Sequence, residues 1–314
     1  MIYTVTLNPA VDRELTVPDF AFDTVLRATA WQVDYGGKGF NVSRMLRSLG
    51  TPSVALAFTG GRSGELLGDG LAALGIETAF IWVEGETRTN VSIVNEKHDH
   101  YIKVNEPGPA IGAEAQAALL AKVRELAQPG SWWVLAGSLP PGVPAGYYAQ
   151  IAAAVHEGGG KVVLDSSGEA LKQGCRAAPA LVKPNDHELQ QLTGLPVGST
   201  EEIVAAARQV RAPGPASVVV SMGKAGALAV DGSGAWMVAA PRIAEQNPIG
   251  AGDSLVAGLV WALARGDALA EALRWGVACG AATAASPGTA VGERAAVERL
   301  YAQTSVEQLA ETMA

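Results

Sequence analysis

Gly39-Phe-Asn-Val-Ser-Arg-Met-Leu-Arg-Ser-Leu-Gly50, followed by Thr51-Pro-Ser-Val-Ala-Leu-Ala-Phe58, sets a helix directly before a buried strand. Val42, Met45, Leu46 and Leu49 recur at helical spacing, and Gly50 is a stop signal. Val54–Phe58 is a short, wholly apolar run, the pattern of a strand covered on both faces. The same alternation continues on either side. Ile2–Leu7 precedes it, and Trp132–Ala136, Val162–Asp165 and Val218–Ser221 follow, with helical stretches between them. Strands that alternate with helices in this way predict an α/β fold, a doubly wound, mostly parallel sheet with helices on both faces. From Asp253 onward the pattern is almost wholly helical.

Two regions break the rhythm. Arg13–Tyr35 and Thr87–Glu106 read as extended strands with partial polar alternation, and the polar turn Glu96-Lys-His-Asp99 predicts a hairpin in the second. Strands set off a doubly wound core suit a small β-sheet lid over a ligand site, formed here by segments about 11–36 and 86–107. Exposed strands also invite pairing with a second copy, so a homodimer through the lid is expected. No internal repeat, linker or clear boundary divides the chain, and residues 1–314 are read as one domain.

Composition narrows the function. Of 314 residues 48% are hydrophobic and 17% charged, which excludes a disordered chain and is enough for a large core. The formal net charge is −8 with no Lys/Arg run, against a nucleic-acid binder. Anionic ligands would have to be held by a few placed cations and backbone N–H groups. Cys175 and Cys279 suggest neither a disulfide framework nor a zinc site. The N-terminus reads as a first strand rather than a signal peptide, and no apolar run approaches membrane-spanning length. A cytoplasmic enzyme without membrane contact is the expectation.

The sharpest chemical segment is Asn247-Pro-Ile-Gly-Ala-Gly-Asp-Ser254, which runs into the apolar stretch LVAGLVWALA. Helix-start N–H groups without internal partners, together with the helix dipole, favour an anion there. Asp253, in the first turn, could accept a hydroxyl proton beside it. The same pattern also fits a simple helix cap after a flexible turn. Tyr35-Gly-Gly-Lys-Gly-Phe-Asn-Val42 is a second glycine turn before a helix, with Lys38 and Asn41 near its start. It is neither a Walker A loop nor a GxGxxG fingerprint. Lys183-Pro-Asn-Asp-His-Glu188 resembles a βα loop at the ligand edge of a sheet, where Asn185 and Glu188 could reach Mg²⁺ through water. Ser221-Met-Gly-Lys-Ala-Gly226 fits either a nucleotide-lining loop or a hairpin turn. His98-Asp99-His100 has no second ligand cluster and is read as an exposed turn.

Taken in order, these segments resemble the phosphofructokinase-B family of ribokinase-like sugar kinases. The resemblance runs over nearly the whole chain. It rests also on the opening TVTLNPAVD, Thr87-Arg-Thr-Asn90, Gly137-Ser-Leu-Pro-Pro-Gly142 and Asp165-Ser-Ser-Gly-Glu169. It implies ATP and Mg²⁺ as cofactors and a small sugar phosphate as substrate. Asp253 would be the catalytic base, and Gly250, Ala251 and Gly252 the anion hole for the transferring phosphoryl group. Asp12, Gly37, Asn41, Asn90 and Ser138 would hold the sugar, with Arg88 and Lys38 as cations for its existing phosphate. Lys183, Asn185, Ser221, Gly223 and Gly226 would hold the nucleotide, and Glu188 with Asn185 would organise Mg²⁺.

Three branches of this family act on ketohexose phosphates. NPAVD, the lysine of GGKG and Asn105-Glu-Pro-Gly-Pro109 are most similar to the branch that takes fructose 1-phosphate to fructose 1,6-bisphosphate. The tagatose 6-phosphate branch shares much of that pattern, and SLPPGV and DSSGEAL resemble the fructose 6-phosphate branch. A non-catalytic sugar-phosphate sensor is the alternative from another class. The intact GAGD and NDHE segments argue against it.

Overall fold

In the computed structural model, which describes residues 1–97 and 100–310, the chain opens with β1 (Ile2–Thr6). Strands β2 (Ala10–Val17) and β3 (Ala30–Gly36) then leave the main sheet, and helix α1 (Lys38–Ser48) returns the chain to β4 (Ser53–Thr59). Helix α2 (Gly61–Ala73) leads to the short strands β5 (Glu77–Thr78) and β6 (Ile81–Trp82). An antiparallel pair follows, β7 (Arg88–Asn95) and β8 (Tyr101–Asn105). Helix α3 (Ala113–Leu126) then precedes β9 (Trp132–Ala136), α4 (Tyr147–Glu157) and β10 (Lys161–Asp165). The alternation continues through α5 (Gly168–Cys175), β11 (Leu181–Val182), α6 (Asp186–Thr193), α7 (Thr200–Arg211) and β12 (Ser217–Ser221). Strands β13 (Ala227–Val230) and β14 (Ala235–Val238) come next. The chain closes with α8 (Ala251–Ala264), α9 (Leu269–Ala284), α10 (Arg294–Tyr301) and β15 (Val306–Leu309).

Among the described residues eleven strands form one sheet, in the order β15-β14-β13-β12-β11-β10-β9-β1-β4-β5, with β6 also paired to β4. Pairing is parallel from β12 to β5 and antiparallel from β12 to β15. From β12 to β4 the parallel strands are buried at almost every position because both faces are covered. Tyr3, Leu135 and Leu164 pack against the side that carries α3 to α7; Ile2, Val134 and Val163 pack against α1, α8, α9 and α10. Strand β15 corrects the expectation of an almost wholly helical C-terminal part. It is a four-residue edge strand, too short to show a period.

Strand β1 lies between β4 and β9, where the chain reverses its direction of travel across the sheet. A crevice opens at such a switch point beyond the carboxyl ends of the strands. The second, four-stranded sheet has the order β3-β2-β7-β8 and is built from the two segments singled out in the sequence. Its register sets Asp12 of β2 opposite Asn90 of β7.

Candidate active site

Helix α8 begins at the carboxyl edge of the large sheet. Gly250 stands before it at φ 79°, a left-handed conformation that costs glycine nothing. That turn swings Asp253 into the interior, where only 7% of it stays exposed. Its Oδ2 accepts a hydrogen bond from Asn41 Nδ2 at 2.8 Å. Asn41 is held in turn from its own helix, since Arg44 Nη1 donates to Asn41 Oδ1 at 3.4 Å.

Two lysines and a second carboxylate surround Asp253. Asp165, at the end of β10 and 1% exposed, takes Lys38 Nζ at 3.0 Å and Lys183 Nζ at 3.4 Å on the same oxygen. Burial, then the Asp165 charge, push the Asp253 carboxyl up to about 6, while Lys38, Asn41 and Lys183 pull it back. Burial works against the charge of Lys38, but Asp165, Asp253 and Glu188 outweigh it and hold the ammonium above the ordinary lysine range. A carboxylate near neutrality, set beside two cations at a helix start, can take a proton from an alcohol while negative charge develops next to it.

Two cavities meet at the Gly250–Gly252 turn. One, of about 690 Å³, is lined by Ser221, Gly223 and Gly226 on one side and by Ala251 and Gly252 on the other, with Val277 on its apolar wall. Ser221–Gly226 is the β12–β13 turn, and it also forms a wall of this cavity. The other cavity is small and polar, lined by Asp12, Gly36, Asn41, Arg44 and Gly250. Asp12 Oδ1 accepts from Asn90 Nδ2 at 2.7 Å. Burial raises the Asp12 carboxyl, and the Asn90 hydrogen bond followed by the charges of Lys103 and Arg88 oppose the shift. A β-carbon at Gly36 would overlap the Asp12 carboxyl, so glycine is required there by close approach. Gly37 caps α1, and its carbonyl accepts from Asn41 N at 3.0 Å.

Arg88 is tied to the backbone at the root of the small sheet. Rather than standing free for a phosphate, Nε, Nη1 and Nη2 donate to the carbonyls of Pro9, Glu106 and Asn8. That pins the guanidinium at the root of the small sheet and leaves one N–H on each terminal nitrogen for a ligand. Ser138 Oγ lies 3.5 Å from Asn8 Nδ2 in the same cluster. Sequence reasoning gave no role to Asp165, Arg44 or Asn8. The signal for Arg44 was present, since it lies three residues from Asn41 and six from Lys38, on one polar face of the helix.

Asn185 and Glu188 form a capping box at the start of α6. Asn185 Oδ1 accepts from Glu188 N at 2.7 Å, and Glu188 Oε2 accepts from Asn185 N at 2.9 Å. Asn185 thus spends its oxygen on the helix, and Glu188 keeps one. No group of three or more His, Cys, Asp or Glu among the described residues is placed to hold a metal. His98 and Asp99 lie outside the described residues. This donor set fits Mg²⁺ carried in on nucleotide phosphates and held through water, not one held in a protein cage.

The 1-phosphofructokinase of Rhodobacter capsulatus is 41% identical to this chain over 262 residues, 83% of each chain. Phosphofructokinase-2 from Escherichia coli, solved in complex with substrates and products, is 34% identical with a TM-score of 0.91, over 96% of this chain and 98% of that one. Arabidopsis thaliana ribokinase, solved with ribose and ATP, superposes with a TM-score of 0.78 over 96% of this chain and 98% of that one; at 22% identity the likeness concerns the fold, which is ribokinase-like. The pfkB family carbohydrate kinase model matches residues 5–296, a span that takes in both glycine turns and the Asp253 pocket. The chain belongs to the pfkB family of carbohydrate kinases.

Proposed function

We propose that this carbohydrate kinase transfers the terminal phosphoryl group of MgATP to the free primary hydroxyl of fructose 1-phosphate, giving fructose 1,6-bisphosphate. The observation that carries the reading is the seat of Asp253, between a large cavity and a small polar pocket, with Lys38 and Lys183 beside it. The 1-phosphofructokinase name of the Rhodobacter relative supports the choice of sugar.

In this reading the nucleotide lies along Ser221, Gly223 and Gly226, its phosphates pointing to the α8 N-terminus and Lys183. The sugar hydroxyls meet Asp12, Asn41 and Asn90, and the first phosphate meets Arg88, Lys38 and Ser138. Asp253 takes the proton of the attacking hydroxyl as the new P–O bond forms and the bond from the terminal phosphorus to the leaving ADP breaks, and returns it to solvent after product leaves. The Gly250–Gly252 backbone and the two lysines hold the charge of the in-flight phosphoryl group, so positioning and electrostatics carry the rate. Bound Mg²⁺, seated near Glu188, would neutralise nucleotide phosphate charge. The small sheet acts as a lid that excludes water, and its outer face pairs two copies into a cytoplasmic homodimer. No helix among the described residues is long and apolar enough to cross a membrane.

The test is ADP release with MgATP on fructose 1-phosphate, tagatose 6-phosphate, fructose 6-phosphate, fructose and ribose. The highest kcat/KM is expected on fructose 1-phosphate. Turnover confined to unphosphorylated sugars would overturn the roles given to Arg88 and Lys38.

A further inference from the structure

The sugar itself poses a recognition problem. In the furanose ring of fructose, C2 and C5 flank the ring oxygen and each bears a CH2O arm. Turned end for end, fructose 6-phosphate therefore offers its phosphate and its free primary hydroxyl at nearly the positions of those in fructose 1-phosphate. The anomeric hydroxyl breaks the likeness. In fructose 1-phosphate it sits on C2, next to the arm that carries the phosphate. In fructose 6-phosphate and tagatose 6-phosphate the corresponding carbon, C5, bears only hydrogen. Cations that grip the phosphate do not sense the difference, so an acceptor beside the phosphate must do so.

Asn8 supplies one. It follows β1 at the switch point and is 7% exposed. Its Nδ2 donates to the Pro107 carbonyl at 3.2 Å and reaches Ser138 Oγ at 3.5 Å, while its own carbonyl accepts from Arg88 Nη2 at 2.9 Å. The donor to Pro107 fixes which way the amide faces. Its Oδ1 is buried and accepts no hydrogen bond. It lies against Gly108, where a β-carbon would overlap it and would come within 3.5 Å of the Arg88 stem. Two stretches most similar to the fructose 1-phosphate branch, NPAVD and residues 105–109, thus meet on one side chain. Buried polar atoms almost always have a partner, and an orphan acceptor calls for one. Asn90 Oδ1 is also unpartnered, but its amide is bound to Asp12, among groups that face the ring hydroxyls common to both isomers.

We propose that Asn8 selects ketohexose 1-phosphates over 6-phosphates, its Oδ1 accepting a hydrogen bond from the hydroxyl on the carbon next to the phosphate-bearing arm. The inference rests on the phosphate seat given above to Arg88 and Ser138. The hydroxyl would reach Oδ1 once Gly108, in the connector between β8 and α3, moves off it. A sugar with hydrogen at that carbon leaves the oxygen unpaired in a site that has lost its water. A site built around such a hydrogen bond discriminates far more strongly than a change in apolar contact.

The probe is 2,5-anhydro-D-mannitol 1-phosphate, which is fructose 1-phosphate without the anomeric hydroxyl. kcat/KM is measured on it, on fructose 1-phosphate and on fructose 6-phosphate, for the wild type and for Asn8→Ala. The wild type is expected to prefer fructose 1-phosphate to the anhydro compound by roughly 10²-fold or more, and Asn8→Ala to lose most of that preference. On the anhydro compound the variant should lose far less than on fructose 1-phosphate. If Asn8→Ala slows both 1-phosphates by the same factor, Asn8 is only a strut for Ser138 and the connector, and the proposal falls. Equal wild-type rates on the two 1-phosphates also overturn it, and that comparison needs no variant to fold. A wild type that prefers a 6-phosphate refutes the proposed reaction itself, visibly in the wild-type data alone, and takes this inference with it.

Discussion

Asp253 must be ionised to act as a base, yet its surroundings favour the neutral acid. Burial and the Asp165 charge raise its pKa to about 6, so the fold binds this proton more tightly than the unfolded chain does. The stabilisation from the proton is complete below the unfolded pKa and is lost as pH rises through about 6. At pH 7.5 the carboxylate is therefore a strained feature of the native state. Asp253→Asn keeps the acceptor for Asn41 and removes the charge. The variant should lose about 10²–10⁴-fold in kcat and gain on the order of 2 kcal/mol of stability at pH 7.5, with the gain fading toward pH 4. Thermal melts at both pH values, read beside turnover, check it; a variant less stable than wild type at pH 7.5 would show that the charged form is favoured. The same pKa predicts that kcat/KM falls away below about pH 6. Asp165→Asn should move that limb to lower pH, because it removes the like charge and leaves Lys38 and Lys183 to act on Asp253 alone. A limb that stays in place, or moves up, would mean that Asp165 does not set the base.

At the scale of elements, the β12–β13 turn shows how two glycines in one motif differ. Gly223 has φ 54° with open space around its β position, whereas Gly226 has φ 102° and a β-carbon there would overlap the Val238 carbonyl of β14. Gly223→Ala should cost about 1 kcal/mol, the price of the left-handed backbone alone. Gly226→Ala should cost well beyond ~2 kcal/mol and loosen the nucleotide wall, raising KM for ATP; urea unfolding of the two variants checks the order. Equal losses would mean that the β13–β14 pair yields easily. The sequence could not rank these glycines, since the clash comes from a strand twelve residues on. It did disclose the parallel strands, because burial on both faces leaves an apolar run: Trp132–Ala136 coincides with β9. Strands β11 and β15, of two and four residues, carry no readable period. The same division holds in the site. Asp253, Lys38 and Asn41 were legible because glycine turns before helices mark them, whereas Asn8 reads as ordinary turn chemistry before Pro9. Only the tertiary fold shows that its oxygen is buried without a donor.

At the scale of the whole molecule, the four-stranded sheet is larger than the surface it covers. Residues paired across strands share a face, and the register sets Trp31, Leu15, Ile93 and Ile102 in one row, with Val33, Arg13, Val91 and Val104 in the next. Farther along, Val11 and Tyr35 on that face pack against Phe40 and Leu71. Of these rows Val33 still packs against that core, while Trp31 is 72% exposed and Val104 59%. An apolar sheet face of this kind, with hydrogen-bonding edges at β3 and β8, is an aggregation hazard unless a partner covers it. A second copy, laid face to face on these rows, would bury it. Light scattering should then find the wild type at twice the chain mass or a multiple of it, and Ile102→Glu at the mass of one chain. Because β7 carries Arg88 and Asn90 on the same sheet, the uncoupled lid should also hold the sugar less firmly. KM for the sugar should rise severalfold in Ile102→Glu; the single chain should itself stay folded, since Ile102 is already 42% exposed in it. A wild type that runs as one chain would refute the pairing. A dimer that survives Ile102→Glu would place the interface elsewhere and leave the lid to close without a neighbour's support.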